Sequence, residues 1–291
     1  MPNHISNILT IEGDATLVAQ IKTDIISVGA DDGDTRHVDF NKIIPCPESL
    51  NITSGSTTDN GIAILKYRAG DATGINEILG YKWGKEFATP EDLINYLLER
   101  GSANLEEAQK ALDNERLYGH RDWYSWNTKN WGTKWNAYDS IQREDGSIYF
   151  QTAWSTPYPV MLALSAKYPE AIIKVRFADE DFGHNVGEYI LQNGDVVEEN
   201  IPDGGSEEAY EMAAEITGYE DYLTDRMYDI EAETIEELED YEKTWIKTVY
   251  NKGVLQDFPK VVLQYMEQLA IEDENYEFAG KVIKTVAVNE E

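Results

Sequence analysis

The amino-acid sequence predicts an α+β protein with an antiparallel sheet, a helical insertion and an acidic, mostly helical C-terminal region. Three observations support this fold class. Strand-like alternation of apolar residues occurs near both ends of residues 1–200, helical signals fill residues 51–119, and the chain after Gly204 is acidic with helical periodicity. Because single hydrophobic cores stop growing near this length of 291 residues, we expect two domains, 1–203 and 204–291.

The first elements are predicted to be a strand, a helix and a second strand. Residues 6–12 alternate between polar and apolar side chains, and Gly13 with Asp14 offers a turn and a helix cap. Apolar residues then recur at helical spacing from Ala15 to Val28. Residues 37–44 alternate again, which predicts a strand that the prolines at 45 and 47 end.

Residues 51–119 are predicted to form a helical insertion. Thr89, Pro90 and the acidic residues after them are typical of a helix start, because they supply a capping hydroxyl, a proline at the first helical position and negative charge in the first turn. A second helix is expected from Leu105 to about Leu117. Residues 53–71 carry weaker signals.

The rest of the sheet is predicted downstream of the insertion. Residues 120–155 are strand-like in composition, and residues 136–143 and 148–154 are expected to form a hairpin around Gly146. A helix after Pro157 leads to strands at 172–177, 187–192 and 195–200. Asn193 and Gly194 form a strong hairpin-turn signal between the last two strands.

The C-terminal region is distinguished by its charge. Residues 199–242 contain seventeen Asp or Glu residues and the single base Arg226, and apolar residues recur among them at helical intervals. We therefore expect acidic helices there. Further helices are predicted at 241–249 and 258–270, and a closing strand at 278–288.

The formal net charge of −31 limits the classes of partner. A field of this sign repels phosphate backbones and anionic membranes and attracts basic protein surfaces, so we expect no nucleic-acid or membrane partner. Solubility alone is an alternative reason for the charge. The chain has no apolar run of roughly 20 residues and no signal-peptide pattern at its start, which predicts a cytoplasmic protein. Cys46, between two prolines, is expected to be structural.

Four segments carry a resemblance to a known family. Their aromatic, glycine and proline residues occur in a specific order, and the segments are Met1–Asn3, Asp39–Glu48, Asn130–Ala137 and Phe150–Pro157. Over roughly residues 1–200 the chain resembles the Api92-like family, an uncharacterised group carried by phages and mobile islands. The resemblance implies a ferredoxin-like core. It also implies a phage or mobile-element setting, hence the host cytoplasm, and it implies no reaction.

The tryptophan-rich residues 123–154 have two interpretations. Five of the seven tryptophans lie there among Asn and Lys residues, so the segment could hold a base, a sugar or a peptide on an aromatic platform. We favour packing in the protein core, which predicts that Trp131 and Trp135 are buried. In the platform interpretation the protein is an enzyme or a binder of a small ligand or nucleotide, and the ligand-binding residues are Trp126, Lys129, Asn130, Trp131 and Lys134.

Sequence motifs of catalysis are absent. The chain contains no phosphate-binding loop, dinucleotide fingerprint or nucleophile elbow, and its four histidines lack metal-ligand spacing. We expect no catalytic residues, no metal and no cofactor. Residues 179–181 are acidic and could hold Mg²⁺ or Ca²⁺, but a solvated loop is favoured.

The leading functional hypothesis is a phage accessory protein that binds and inhibits a host protein. The expected partner has a basic surface, as a nuclease or a nucleic-acid-processing defence complex has, and inhibition would be by occlusion or DNA mimicry. Whether the protein also forms homo-oligomers is left open. The candidate partner-binding residues are Glu207, Glu208, Glu211, Glu215, Tyr219, Tyr222, Asp225 and Tyr276.

Overall fold

A computed structural model describes residues 3–28, 35–218 and 222–289. Contacts divide the chain into two compact units. The sheet unit comprises residues 1–39, 137–156 and 161–291, and the helical unit comprises residues 40–136 and 157–160. The expected boundary between residues 203 and 204 does not coincide with a boundary between these units, because the C-terminal region belongs to the unit that contains the sheet.

Every described strand pair is antiparallel. Strands and α-helices are numbered separately in chain order. The strands are β1 (His4–Glu12), β2 (Ser27–Val28), β3 (Thr35–Arg36), β4 (Tyr138–Gln142), β5 (Ile148–Ala153), β6 (Ile172–Asp179), β7 (Gly187–Gln192) and β8 (Asp195–Asn200). The α-helices are α1 (Ala15–Ile25), α2 (Ser56–Arg68), α3 (Thr73–Gly80), α4 (Pro90–Glu99), α5 (Leu105–Tyr118), α6 (Trp123–Asn130), α7 (Tyr158–Lys167), α8 (Glu207–Thr217), α9 (Tyr222–Arg226), α10 (Asp240–Asn251), α11 (Lys260–Glu272) and α12 (Tyr276–Asn289).

The main sheet has the strand order β4-β5-β1-β6-β7-β8. With the intervening residues 26–137 set aside, four of these strands and two helices occur in the order β1-α1-β4-β5-α7-β6, which is the ferredoxin-like arrangement. Strands β7 and β8 extend the sheet at one edge. Ile8 of β1 faces Tyr149 of β5 on one side and Arg176 of β6 on the other. The prediction that the sheet combines residues from before and after the helical insertion is therefore confirmed.

The predicted strand over residues 37–44 is wrong. The only strand residues here are Thr35 and Arg36 of β3, and Phe40–Lys42 forms a short 3₁₀ helix. The backbone bends at His37 and Val38, and the N–H of Asp39 donates to the carbonyl of Ile25 at 2.7 Å. Val38 and Phe40 are both buried, and their alternation reflects burial in a bend.

The predicted hairpins are confirmed. β4 pairs with β5, and β7 pairs with β8 through Asn193 and Gly194, whose φ angles of +52° and +82° suit the mirror-image turns that hairpins favour. All six residues of β8 are exposed, and the β7–β8 pairing contains a register shift between Ile190 and Leu191. An irregular, charged edge of this kind discourages further strand pairing.

The C-terminal helices share a hydrophobic core with the sheet. Ile8 of β1 and Ala178 of β6 belong to the same buried cluster as side chains from α8 to α12. The expected strand over residues 278–288 is wrong, because this segment lies in α12. Its buried residues Phe278, Ala279 and Val282 are spaced as one face of a helix.

The helical unit contains α2 to α6. The predicted start of α4 is confirmed, since Thr89 and Asp92 form a capping box. Residues 53–71, where the sequence signals are weak, contain α2. Gly61 of α2 permits a close approach to the start of α5, because a Cβ atom there would lie 2.4 Å from the carbonyl oxygen of Asn104. Residues 123–130 form α6, so the strand-like interpretation of that stretch is wrong. Across the described ranges, no helix is both long and apolar enough to span a bilayer.

Candidate functional site

Helix α8 carries acidic side chains that bond within the sheet unit. Ser206 caps the helix, and the apolar face of α8 is anchored by the buried ring of Tyr210. Three of its four glutamates have partners in other elements: Glu207 lies 3.2 Å from Lys247 and accepts from Asn251, Glu208 accepts from Asn200 at 2.8 Å, and Glu215 lies 2.6 Å from Arg176. Glu211 is half-buried. Much of the charge of this helix is therefore locally compensated.

The acidic segment, residues 231–240, presents its carboxylates differently. Six acids in these ten residues are exposed: Glu231, Glu233, Glu236, Glu237, Glu239 and Asp240. Within the part of the chain that the structure describes, none of them forms an ion pair, and no Lys or Arg occurs between Met227 and Tyr241. Buried Ile230 and Leu238 hold the segment against the core.

A cleft of about 550 Å³ lies within the sheet unit, and we call it the aromatic cleft. It is lined by His4, Ser6, Tyr149, Gln151, Asp179, Glu180, Phe182, Thr217 and Tyr222. The ring centroids of Phe182 and Tyr222 are 4.3 Å apart, and Phe182 also stacks on Tyr210 at 6.1 Å. Gly183, with φ of +80°, allows this stacking, because a Cβ there would lie 2.3 Å from the Tyr210 ring.

Asp179 is a buried carboxylate in the wall of the aromatic cleft, with 5 % of its surface exposed. It accepts hydrogen bonds from the side chain of Asn3 at 3.0 Å, the backbone N–H of Asp181 at 3.0 Å and the side chain of Asn185 at 2.8 Å. All three donors are neutral. The adjacent Glu180 is exposed. This side of the cleft is therefore strongly electronegative.

His4 and the hydroxyl groups of Ser6 and Thr217 line the cleft, and His4 is bonded to Tyr138, which is not a lining residue. The hydroxyl of Tyr138 donates to the carbonyl of Thr152 at 3.1 Å, which leaves its oxygen to accept from Nδ1 of His4 at 2.7 Å. Burial, aided by the nearby charges of Asp139 and Glu180, raises the pKa of Tyr138 to about 12, so the phenol stays neutral.

Aromatic faces beside carboxylates form an environment that suits an organic cation. Within the described residues, no three or more His, Cys, Asp or Glu side chains are placed to hold a metal ion. Cys46 lies outside the aromatic cleft and is half-buried, and its desolvation raises the pKa of the thiol to about 11. The thiol is therefore a poor nucleophile at neutral pH.

The tryptophan-rich residues divide into buried and exposed side chains. Trp131 is 3 % exposed, lies 5.6 Å from both Phe40 and Trp126 between ring centroids, and donates its Nε1–H to the carbonyl of Ile44. Its predicted burial is confirmed. Trp135 is 37 % exposed, so the same prediction is wrong for that residue. The two differ because Trp131 closes helix α6 against the core, whereas Trp135 follows the turn beyond it.

A second cleft in the helical unit, of about 420 Å³, is lined by Ser54, Trp123, Tyr124, Lys134 and Trp135. The ammonium group of Lys134 lies 4.7 Å from the ring centroid of Trp135 and 5.8 Å from that of Tyr124. Of the five residues expected on a ligand platform, only Lys134 lines this cleft. Trp126 and Trp131 are buried, the Asn130 side chain donates to the carbonyl of Trp126, and Lys129 is exposed on α6.

The remaining partner-binding candidates are dispersed. Tyr222 lines the aromatic cleft, Asp225 is exposed on α9, and Tyr276 is 68 % exposed at the start of α12. Tyr219 lies outside the described residues. Sequence reasoning missed the lining residues of β1 and β5, which about 140 positions separate along the chain. The one local signal was the acidic run of residues 179–181, which the sequence suggested only as a metal site.

The fold and two comparisons with known proteins indicate which proteins this chain resembles. The topology defines a ferredoxin-like α+β protein. A family model described as "ferredoxin-like domain in Api92-like protein" matches residues 130–220, so the chain resembles Api92-like proteins in the region from β4 to α8. The crystal structure of the protein api92 from Yersinia pseudotuberculosis aligns at 14 % identity and a TM-score of 0.35, covering 70 % of this chain and 99 % of that chain. No curated protein matches the sequence.

Proposed function

We propose that the protein acts by binding rather than by catalysis, and that the acidic segment docks onto a basic surface of another protein and blocks it. One observation carries this proposal: six exposed carboxylates lie within ten residues, without a basic residue among them. Such a concentration of like charge repels itself within the folded protein. An oppositely charged partner relieves this repulsion.

The binding surface is the acidic segment and not helix α8. The carboxylates of Glu207, Glu208 and Glu215 already bond to groups of the sheet unit, so they have less to gain from a partner. Those of the acidic segment are exposed and form no ion pair within the described residues, and Glu237 accepts only a backbone hydrogen bond, from the N–H of Glu233 at 2.9 Å. Exposed charges contribute chiefly to the rate of encounter, and this contribution falls as salt is added.

The expected partner is a protein with a basic nucleic-acid-binding cleft. Closely spaced carboxylates can imitate the negative charges of a phosphate backbone, and an acidic protein that fills the cleft would exclude the nucleic acid. The resemblance to Api92-like proteins suggests a phage or mobile-element inhibitor that acts in the host cytoplasm on a nuclease or defence complex. The protein itself is expected to bind neither DNA nor RNA.

The decisive experiment reverses the charge of the acidic segment. Glu231, Glu233, Glu236 and Glu237 are changed to Lys, and a partner captured from host lysate is purified for kinetic measurement across a salt series. A matched control changes four exposed glutamates elsewhere, Glu86, Glu99, Glu144 and Glu170, to Lys. We expect association of the segment variant to be at least about tenfold slower at low salt, and clearly slower than that of the control. Equal rates for the two variants would refute the proposal.

A second candidate function is suggested by the cleft around Lys134. Two exposed rings and an ammonium group could hold a planar, anionic ligand such as a nucleotide. Titration with AMP, monitored by tryptophan fluorescence, tests this function. Saturable quenching that is lost in Trp135→Ala but kept in Trp83→Ala, which removes another exposed tryptophan of the same unit, would support it. Quenching unaffected by either substitution would exclude it.

A further inference from the structure

We infer that the aromatic cleft of the sheet unit receives an arginine side chain of the basic partner. This inference rests on the proposed function, because it names the group by which that partner would be held. The cleft volume of about 550 Å³ falls within the range of ordinary ligand sites and exceeds what a single side chain fills. The excess leaves room for the backbone that carries the arginine.

The first argument for a cation is the charge on Asp179. A carboxylate with 5 % exposure has lost most of its hydration, yet its three hydrogen-bond donors are neutral. Buried charges in proteins are normally paired or coordinated to a metal. Among the described residues that line the cleft there is no Lys or Arg, and Glu180 adds a second negative charge there. A cation supplied from outside completes this site.

The second argument is the aromatic surface. Phe182 and Tyr222 form an adjoining pair of rings, and Tyr149 contributes a third ring from β5. Arginines of this chain already lie over two of these rings: the guanidinium carbon of Arg226 is 5.2 Å from the ring centroid of Tyr222, and that of Arg143 is 5.2 Å from the ring centroid of Tyr149. The hydroxyl of Tyr149 is held by Ser6 and Gln151, each at 3.1 Å, which fixes the orientation of that side chain. A cation over such faces is attracted by the ring quadrupoles.

The combination favours arginine over other cations. A guanidinium group is planar, so it stacks on a ring while its N–H groups point outward to carboxylate oxygens. An ammonium group is more strongly hydrated and loses more on entering a desolvated cleft. A divalent metal requires six or more oxygen ligands or nearly ideal octahedral geometry, whereas the aromatic rings occupy much of this wall.

The inference is tested with small probes and does not require the partner. Binding of N-acetyl-arginine amide is measured by calorimetry and compared with that of the citrulline derivative, which has nearly the same shape but no charge. We expect binding of the arginine derivative only. Glu180→Gln should weaken it about tenfold, because a charged hydrogen bond is lost, while Glu170→Gln, at an exposed position outside the cleft, should leave it unchanged.

Two further variants separate this inference from the proposed function. Tyr222→Leu keeps apolar volume but removes the ring, and it should weaken arginine binding without unfolding the protein, as thermal melting will check. The variant with four lysines in the acidic segment should still bind the arginine derivative. Suppose that this variant binds the arginine derivative and also associates with the partner as fast as the unchanged protein. The proposed function is then refuted, and the assignment of the cleft stands. Equal binding of arginine and citrulline derivatives, or an unaffected Glu180→Gln, overturns the cleft assignment alone.

Discussion

Helix α8 and the acidic segment have similar compositions but opposite electrostatic environments. Each is rich in glutamate, and each is anchored to the same hydrophobic core. The carboxylates of α8 meet Lys247, Arg176 and Asn200, which are supplied by other elements, whereas those of the segment are exposed and form no ion pair within the described residues. Charge density along a sequence therefore does not reveal which charges remain uncompensated. That depends on what the fold brings beside them.

The largest expected difference is in the free energy of unfolding lost when either of two tyrosines that contact Trp245 is replaced. Tyr210 of α8 and Tyr241 beside the segment both contact the ring of Trp245, with centroids 6.2 and 4.9 Å away. Tyr210 is 3 % exposed and Tyr241 is 50 % exposed. Tyr210→Ala should lower the free energy of unfolding by about 3 kcal/mol because it leaves a cavity, and Tyr241→Ala by less than about 1 kcal/mol. Urea unfolding measures both, and similar losses would contradict the proposed difference in anchoring.

The next largest difference is expected in the stability of charge-reversal variants of helix α8 and of the acidic segment. Changing Glu207, Glu208 and Glu215 to Lys removes three sets of bonds and places like charges beside Lys247 and Arg176. We expect this variant to lose about 1–2 kcal/mol of stability, which is modest because the pairs are partly exposed. Reversal of three segment residues, Glu231, Glu233 and Glu236, should cost nothing or stabilise slightly, since it relieves repulsion. A greater loss in the segment variant would show that its acids have structural partners.

A smaller effect is expected for Glu242, an acid next to the segment that caps helix α10. The carboxylate of Glu242 accepts the backbone N–H of Glu239 at 2.9 Å, at the start of α10. Glu242→Ala should therefore cost about 0.5–1 kcal/mol, as the loss of a capping interaction does. Glu236→Ala, at an exposed and unpaired position, should be neutral within about 0.5 kcal/mol. Thermal melts of the two single variants provide the comparison.

The smallest expected effect is a dependence of stability on alkaline pH. Burial, as the main cause, raises the pKa of Tyr210 above its ordinary value of 10. Folding therefore favours the neutral phenol, and this contribution is complete below pH 10 and is lost as the pH rises through the raised pKa. Tyr210→Phe should lessen the loss of stability above pH 10. Absorbance titration at alkaline pH should also show one fewer late-ionising phenol in the variant.

Elements with local signals were predictable from the sequence. The hydroxyl of Thr89 and the turn at Asn193–Gly194 act within a few residues, so their geometry depends little on the rest of the fold. The strand expected at 37–44 failed because alternation also occurs in a bend that buries Val38 and Phe40. The C-terminal end of the chain is harder to predict: the segment of α12 is rich in Val, Ile and Thr, whose preference for strands favours the wrong element there.

The candidate sites were less predictable than the fold. The aromatic cleft joins side chains from β1, β5, the end of β6, the loop after it, and α8 to α9, and no local pattern links Tyr149 to Phe182 or Tyr222. The register of the sheet brings β5 and β6 to either side of β1, and the packing of the C-terminal helices on the sheet brings Tyr222 to Phe182. Tyr222 was identified among the partner-binding candidates because it is an aromatic residue in an acidic stretch, and its contact with Phe182 could not be foreseen.

The central position of β1 also determines the order in which the chain can fold. Both neighbours of this strand, β5 and β6, are encoded more than 130 residues later. At ordinary rates of synthesis of roughly 5–20 residues per second, β1 is made about 7–27 seconds before the first of its partners. The helical unit, whose residues contact one another over shorter separations, can form during this interval. The first strand of the sheet is thus among the last to be paired, and a nascent chain must keep its apolar residues from associating elsewhere until translation is well past residue 179.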